Sequence, residues 1–149
     1  MNKMLHKRSW VAAIALTGAV AILASCQSMS PMMMMGQQVS LSGANEVPAV
    51  TTSASGSGTV TIKDDRSVSA KITVTGMTAT ASHIHEGAAG ANGPVIVPFT
   101  KTGDNTFAAP EGAKLTESQY ASYKAGNLYV NVHSAKDPGG EVRAQLKGN

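Results

Sequence analysis

The sequence predicts an all-β sandwich or barrel with one short helix, and three observations predict it. From Gln37 onward, apolar residues recur at every second position in short runs. Gly, Pro, Asn and Asp separate those runs, as turns between strands require. A helical spacing of apolar residues is sustained nowhere except near Thr116. Residues 38–149 form a single-domain length.

The elements follow in order. Val39 and Leu41 alternate before Gly43, and Val60 and Ile62 alternate before the turn signal Asp64-Asp65. Val68, Ala70, Ile72 and Val74 form the longest strict alternation, ended by Gly76. Ile84 lies in Ser82-His83-Ile84-His85, with Gly87 and Gly90 after it. Pro94 to Phe99 is a more continuous apolar strand. Thr116-Glu117-Ser118-Gln119 fits a capping box, in which Thr caps the helix and Gln119 folds back. Tyr120 and Tyr123 share a face of that helix, and Gly126 supplies its stop. Leu128, Val130 and Val132 alternate again, as do Val142, Ala144 and Leu146. Asp137-Pro138-Gly139-Gly140 reads as a tight turn between these last two strands, and Glu46 and Asp65 read as turn and rim charges.

The first 25 residues read as a secretory signal. Lys3, His6, Lys7 and Arg8 form a basic head, Trp10 to Leu23 an apolar run, and small residues close it. The run falls short of the roughly 20 residues that cross a hydrocarbon core. Leu23-Ala24-Ser25-Cys26 resembles the bacterial lipobox, which implies cleavage before Cys26 and acylation of its thiol. Two or three acyl chains would anchor the chain durably to a membrane, since one alone binds marginally. Gln27 rather than Asp follows the Cys, which favours the outer membrane of a two-membrane cell envelope. Residues 26–37 read as a lipidated tether rich in Met; the thioethers of Met29 and Met32 to Met35 are soft donors of the kind that suit Cu(I).

Removing the signal changes the charge. Three of the twelve basic residues lie in it and none of the nine acidic ones, so nine of each remain. The basic balance of the whole chain therefore gives no case for nucleic acid binding. No Ser-His-Asp, paired-carboxylate or phosphate-cradling pattern is visible, and Gly87 to Gly93 opens no helix of the dinucleotide-binding kind.

Several separate motifs resemble one family. Leu41-Ser42-Gly43-Ala44-Asn45-Glu46-Val47-Pro48, Ala81-Ser82-His83-Ile84-His85-Glu86-Gly87 and Gly93-Pro94-Val95-Ile96-Val97 come first. Leu115 to Gln119, Leu128-Tyr129-Val130-Asn131-Val132-His133 and Pro138-Gly139-Gly140-Glu141-Val142-Arg143-Ala144-Gln145-Leu146 follow. Together, over residues 38–147, they resemble the CHRD domain of chordin and of many secreted bacterial proteins. The resemblance implies an extracellular β domain with no settled biochemical activity.

The histidines can be placed by pleat geometry. With Ile84 in the core, His83 and His85 share the opposite face; with Leu128, Val130 and Val132 in the core, Tyr129, Asn131 and His133 do the same. Glu141, Arg143 and Gln145 complete that face, which is expected to be the outer, polar one. If the strands are neighbours, His83, His85 and His133 converge into a site suited to copper or zinc. The arrangement is similar to copper–zinc superoxide dismutase, a Greek-key β-barrel. That resemblance gives the three His the copper positions and makes Arg143 an anion guide. It lacks the bridging His, the zinc loop and the Cys pair. Two readings result: a non-catalytic binding module with an envelope or extracellular protein partner, and a copper-binding, dismutase-like redox lipoprotein using His83, His85 and His133.

Overall fold

A computed structural model describes residues 36–148; the signal segment, Cys26 and the Met run lie outside the described residues. Nine strands and one α-helix build an all-β, nearly closed barrel, as expected. The strands are β1 (Gln37–Ser42), β2 (Ser55–Ile62), β3 (Val68–Thr75), β4 (Ala79–Glu86), β5 (Val95–Pro98), β6 (Thr100–Gly103), β7 (Thr106–Ala108), β8 (Leu128–Ser134) and β9 (Val142–Gln145), with α1 (Glu117–Lys124) before β8. Their lateral order is β5-β4-β8-β9-β1-β2-β3-β7-β6, and every pairing is antiparallel. Connections β3 to β4, β5 to β6 and β7 to β8 join strands that are not neighbours, so the order is not that of a simple meander.

The alternating residues face inward as read. Val39, Leu41, Val60, Ile62, Val68, Ile72, Val74, Ile84, Val130, Val132, Val142 and Leu146 form one buried cluster, closed by Phe107 and by Leu115 ahead of α1. Each such side chain, fully buried, contributes about 1.5–3 kcal/mol relative to exposure. The turn after β2 is an Asx turn: Asp65 Oδ1 accepts from the Ser67 amide at 2.9 Å and the Ser67 hydroxyl at 2.6 Å. The capping box forms as predicted, with Gln119 N donating to Thr116 Oγ1 at 3.2 Å and Thr116 N to Gln119 Oε1 at 2.8 Å.

Closure of the barrel depends on a strand that changes partner. β5 runs beside β4, and after Phe99 the chain continues as β6, which pairs with β7. Phe99 N still donates to Ser82 O at 3.0 Å, and Lys101 Nζ reaches Ala79 O at 3.1 Å. The strip thus lies along β4 while serving the far edge of the sheet.

Pairing of β4 with β8 positions the candidate site. His83 lies opposite Asn131 and His85 opposite Tyr129, while Asn131 lies opposite Arg143 on β9. The expectation that this face is open and polar is corrected. Tyr129 is 2% exposed, and Asn131 and Arg143 are each 1% exposed. The segment between β4 and β5 covers the face, fastened by Arg143 and by Asn92 Nδ2 donating to Val47 O at 2.7 Å.

Candidate metal centre

His83, His85 and His133 converge. One ring nitrogen from each lies within 4.8 Å of the other two. His83 Nδ1 and His133 Nε2 stand 3.0 Å apart, and the ring centroids are separated by 4.8–5.9 Å. Two nitrogens on one tetrahedral zinc ion at about 2.0–2.1 Å would stand about 3.3 Å apart. His85 is buried, and His83 and His133 are half-buried.

Backbone carbonyls fix two of the rings. His85 Nδ1 lies 2.9 Å from Gly93 O, and His133 Nδ1 lies 2.9 Å from Pro138 O. A carbonyl only accepts, so both Nδ1 atoms carry hydrogen and both Nε2 atoms present lone pairs. His83 Nδ1 therefore donates to His133 Nε2. His85 Nε2 is buried without a hydrogen-bond partner among the described residues. This is how metal-binding imidazoles are commonly oriented, with the far nitrogen held by a carbonyl or carboxylate.

The electrostatics favour the neutral, ligating form. Burial pushes the His83 pKa down to about 4, and His133 and His85 beside it push the same way. Burial also lowers His85, against the opposing pull of its bond to Gly93. The donor set fits a divalent ion of the copper or zinc kind: borderline nitrogen ligands, with an orphaned buried nitrogen among them.

Around the triad, Tyr129 stacks on His85 with centroids 4.9 Å apart, and the Arg143 guanidinium lies 3.3 Å over the Tyr129 ring. Arg143 donates to Ala91 O at 2.7 Å, Asn92 Oδ1 at 3.1 Å and Ala88 O at 3.5 Å. The residue expected to guide an anion thus has its donors on the covering segment. Gly93 is where that segment touches the sheet: a Cβ there would stand 1.6 Å from Glu86 O, so only glycine fits. Its amide donates to Tyr129 Oη at 3.1 Å.

Glu46 does not behave as a rim charge. It is 6% exposed, its Oε1 has no hydrogen-bond partner among the described residues, and burial raises its pKa to about 7 despite Arg143 nearby, with Asp137 adding to the rise. Asp65, by contrast, is the exposed turn charge expected. Asn131 and Glu46 were not singled out as site residues by sequence reasoning. For Asn131 the signal was present, since Tyr129, Asn131 and His133 alternate onto one face; for Glu46 no local pattern announces burial. An open groove of ≈ 710 Å³ lined by Thr51, Thr52, Met77, Ser134, Lys136 and Glu141 adjoins the β8–β9 loop, but none of the three imidazoles lines it.

Comparisons with known proteins bear on this geometry. Searches of curated proteins and of solved structures returned no match. The family model of the CHRD domain matches residues 37–146, which includes all three histidines and every strand. The chain belongs to the CHRD domain family.

Proposed function

We propose that this chain is a cell-envelope lipoprotein whose CHRD domain binds one Cu(II) or Zn(II) ion through His83, His85 and His133. The observation that carries the reading is the convergence of three ring nitrogens within 4.8 Å, two of the rings pinned through Nδ1 by Gly93 O and Pro138 O. Such an ion would be a divalent centre joining β4 to β8 under the covering segment.

The domain acts by binding rather than by turning over superoxide. Arg143, the residue a dismutase-like mechanism would use to draw in an anion, is 1% exposed and occupied by three acceptors of the covering segment. The lipobox-like Leu23-Ala24-Ser25-Cys26 supports attachment through Cys26, and Gln27 supports the outer membrane. A partner would be another envelope or extracellular protein.

The test is uptake. The purified chain, stripped of metal by chelator, should take up Cu(II) or Zn(II) with a stoichiometry near one by calorimetry, and His85→Ala should abolish it. Uptake that survives His85→Ala, or no uptake by the parent chain, would sink the reading.

A further inference from the structure

We infer that Asn131 contributes a fourth, oxygen ligand to the cation site formed by the three imidazoles. This rests on the metal-binding reading and adds the residue that completes the donor set.

Asn131 borders every member of the triad. It lies directly opposite His83 in the β4–β8 register, two residues before His133 on the same face, and diagonal to His85 across the same strand pair. It is 1% exposed, so its side chain has no access to bulk water. Both ends of the amide must therefore be accounted for locally.

The nitrogen end is settled by its neighbours. Asn131 Nδ2 points to Gly139 O at 3.5 Å. A Cβ on Gly140 would stand 2.6 Å from both Nδ2 and Glu46 Oε1, which shows how closely the carboxyl group and the amide crowd that backbone. The Gly139 carbonyl only accepts, so the amide is placed with its nitrogen toward it. The oxygen is then turned away from that acceptor. Oδ1 is buried and receives no hydrogen bond among the described residues.

His85 Nε2 is in the same position: buried, a lone pair, and without a donor among the described residues. Two buried lone pairs on neighbouring residues, neither with a donor among the described residues, suit a positive centre. A cation that His85 binds through Nε2 meets Asn131 Oδ1 as well. Three imidazole nitrogens and an amide oxygen form a donor set for a divalent ion, since an amide oxygen is too hard for Cu(I). The donor set thereby favours borderline divalent ions, such as Zn(II), Cu(II) and Co(II), over Cu(I).

The experiment compares the full chain with Asn131→Leu and Asn131→Asp, each freed of metal and titrated with Zn(II) by competition against a chromophoric chelator. Co(II) is then used as a spectroscopic probe of the coordination shell. Asn131→Leu is expected to bind Zn(II) at least about tenfold more weakly, with a changed visible Co(II) spectrum. Asn131→Asp keeps an oxygen in place and adds charge, so it should bind at least as tightly as the parent and shift the Co(II) bands. Parent-like affinity and spectra in both variants would overturn the inference while leaving the three-histidine site standing; a buried water would then be what satisfies Oδ1. Failure of the parent chain to bind would overturn the underlying reading as well. Because Asn131→Leu replaces a buried polar group, its fold is checked by circular dichroism, and the nearly isosteric Asp variant decides the matter if it unfolds.

Discussion

Glu46 brings a carboxyl group into a place where Oε1 finds no donor, and burial raises its pKa from the ordinary 4.5 to about 7. The unfolded chain releases this proton near its ordinary pKa, whereas the folded chain holds it to about 7. Between those values the native state binds more protons, so this group's contribution to stability is greatest at low pH and is lost as pH rises through the window. The charged groups that act on it are Arg143, which opposes the rise, and Asp137, which adds to it. His83, with its pKa lowered to about 4, has the opposite slope between its ordinary value and 4, losing stability as pH falls. Glu46→Gln therefore isolates one slope from the other. In metal-free chain the melting temperature of Glu46→Gln, relative to the parent, should climb between pH 4.5 and 7 and level off above. A difference that stays constant with pH would refute the assignment. At this scale the sequence was legible where alternation applies: it placed His83, His85 and His133 on one face. It was mute about Glu46, because neighbours far away in sequence, Gly140 and Arg143 among them, enclose that position.

That segment, residues 87–94, is the element on which the site's enclosure depends. It has no regular structure beyond a turn, and its backbone is held from outside itself. Arg143 on β9 satisfies Ala88 O, Ala91 O and Asn92 Oδ1, and stacks over Tyr129. Arg143→Ala removes donors from buried acceptors and leaves Glu46 without its cationic neighbour. It should cost about 2–4 kcal/mol of unfolding free energy. Denaturant titration measures that loss, and hydrogen exchange should show the Ala91 and Gly93 amides losing protection. A loss under about 1 kcal/mol with unchanged exchange would mean that Arg143 does not hold the segment. Among the elements, strands with two or more alternating apolar residues were readable, and so was α1 from its capping box. β6 and β7 were not. Thr100–Gly103 is exposed throughout and Thr106–Ala108 buries only Phe107, so neither carries an alternation to read. The reading of the histidine face as solvent-facing failed for a related reason. Pleat geometry separates the two faces of a sheet but does not say whether a loop lies over one of them.

For the molecule as a whole, the barrel stands on its apolar cluster, with the only Cys of the chain outside it. Folding and attachment should therefore be separable. Cys26→Ser is expected to move the chain from the membrane to the soluble fraction of its cell while leaving its melting temperature and metal uptake unchanged. A variant that stays with the membrane would show that the thiol is not the anchor. The class of the fold was legible because alternation and turn signals are local. Its closure was not, since that depends on a strand changing partner at Phe99. This change has a consequence for how the domain meets other proteins. The two ends of the sheet are β5 and β6, four residues each, and Lys101 of β6 folds back toward β4. Among the described residues, no long run of unpaired backbone is left on which a foreign segment could be laid as an additional strand. Crowded together, such domains would have little backbone edge through which to polymerise, and recognition by this domain would rest on side chains rather than on an added strand.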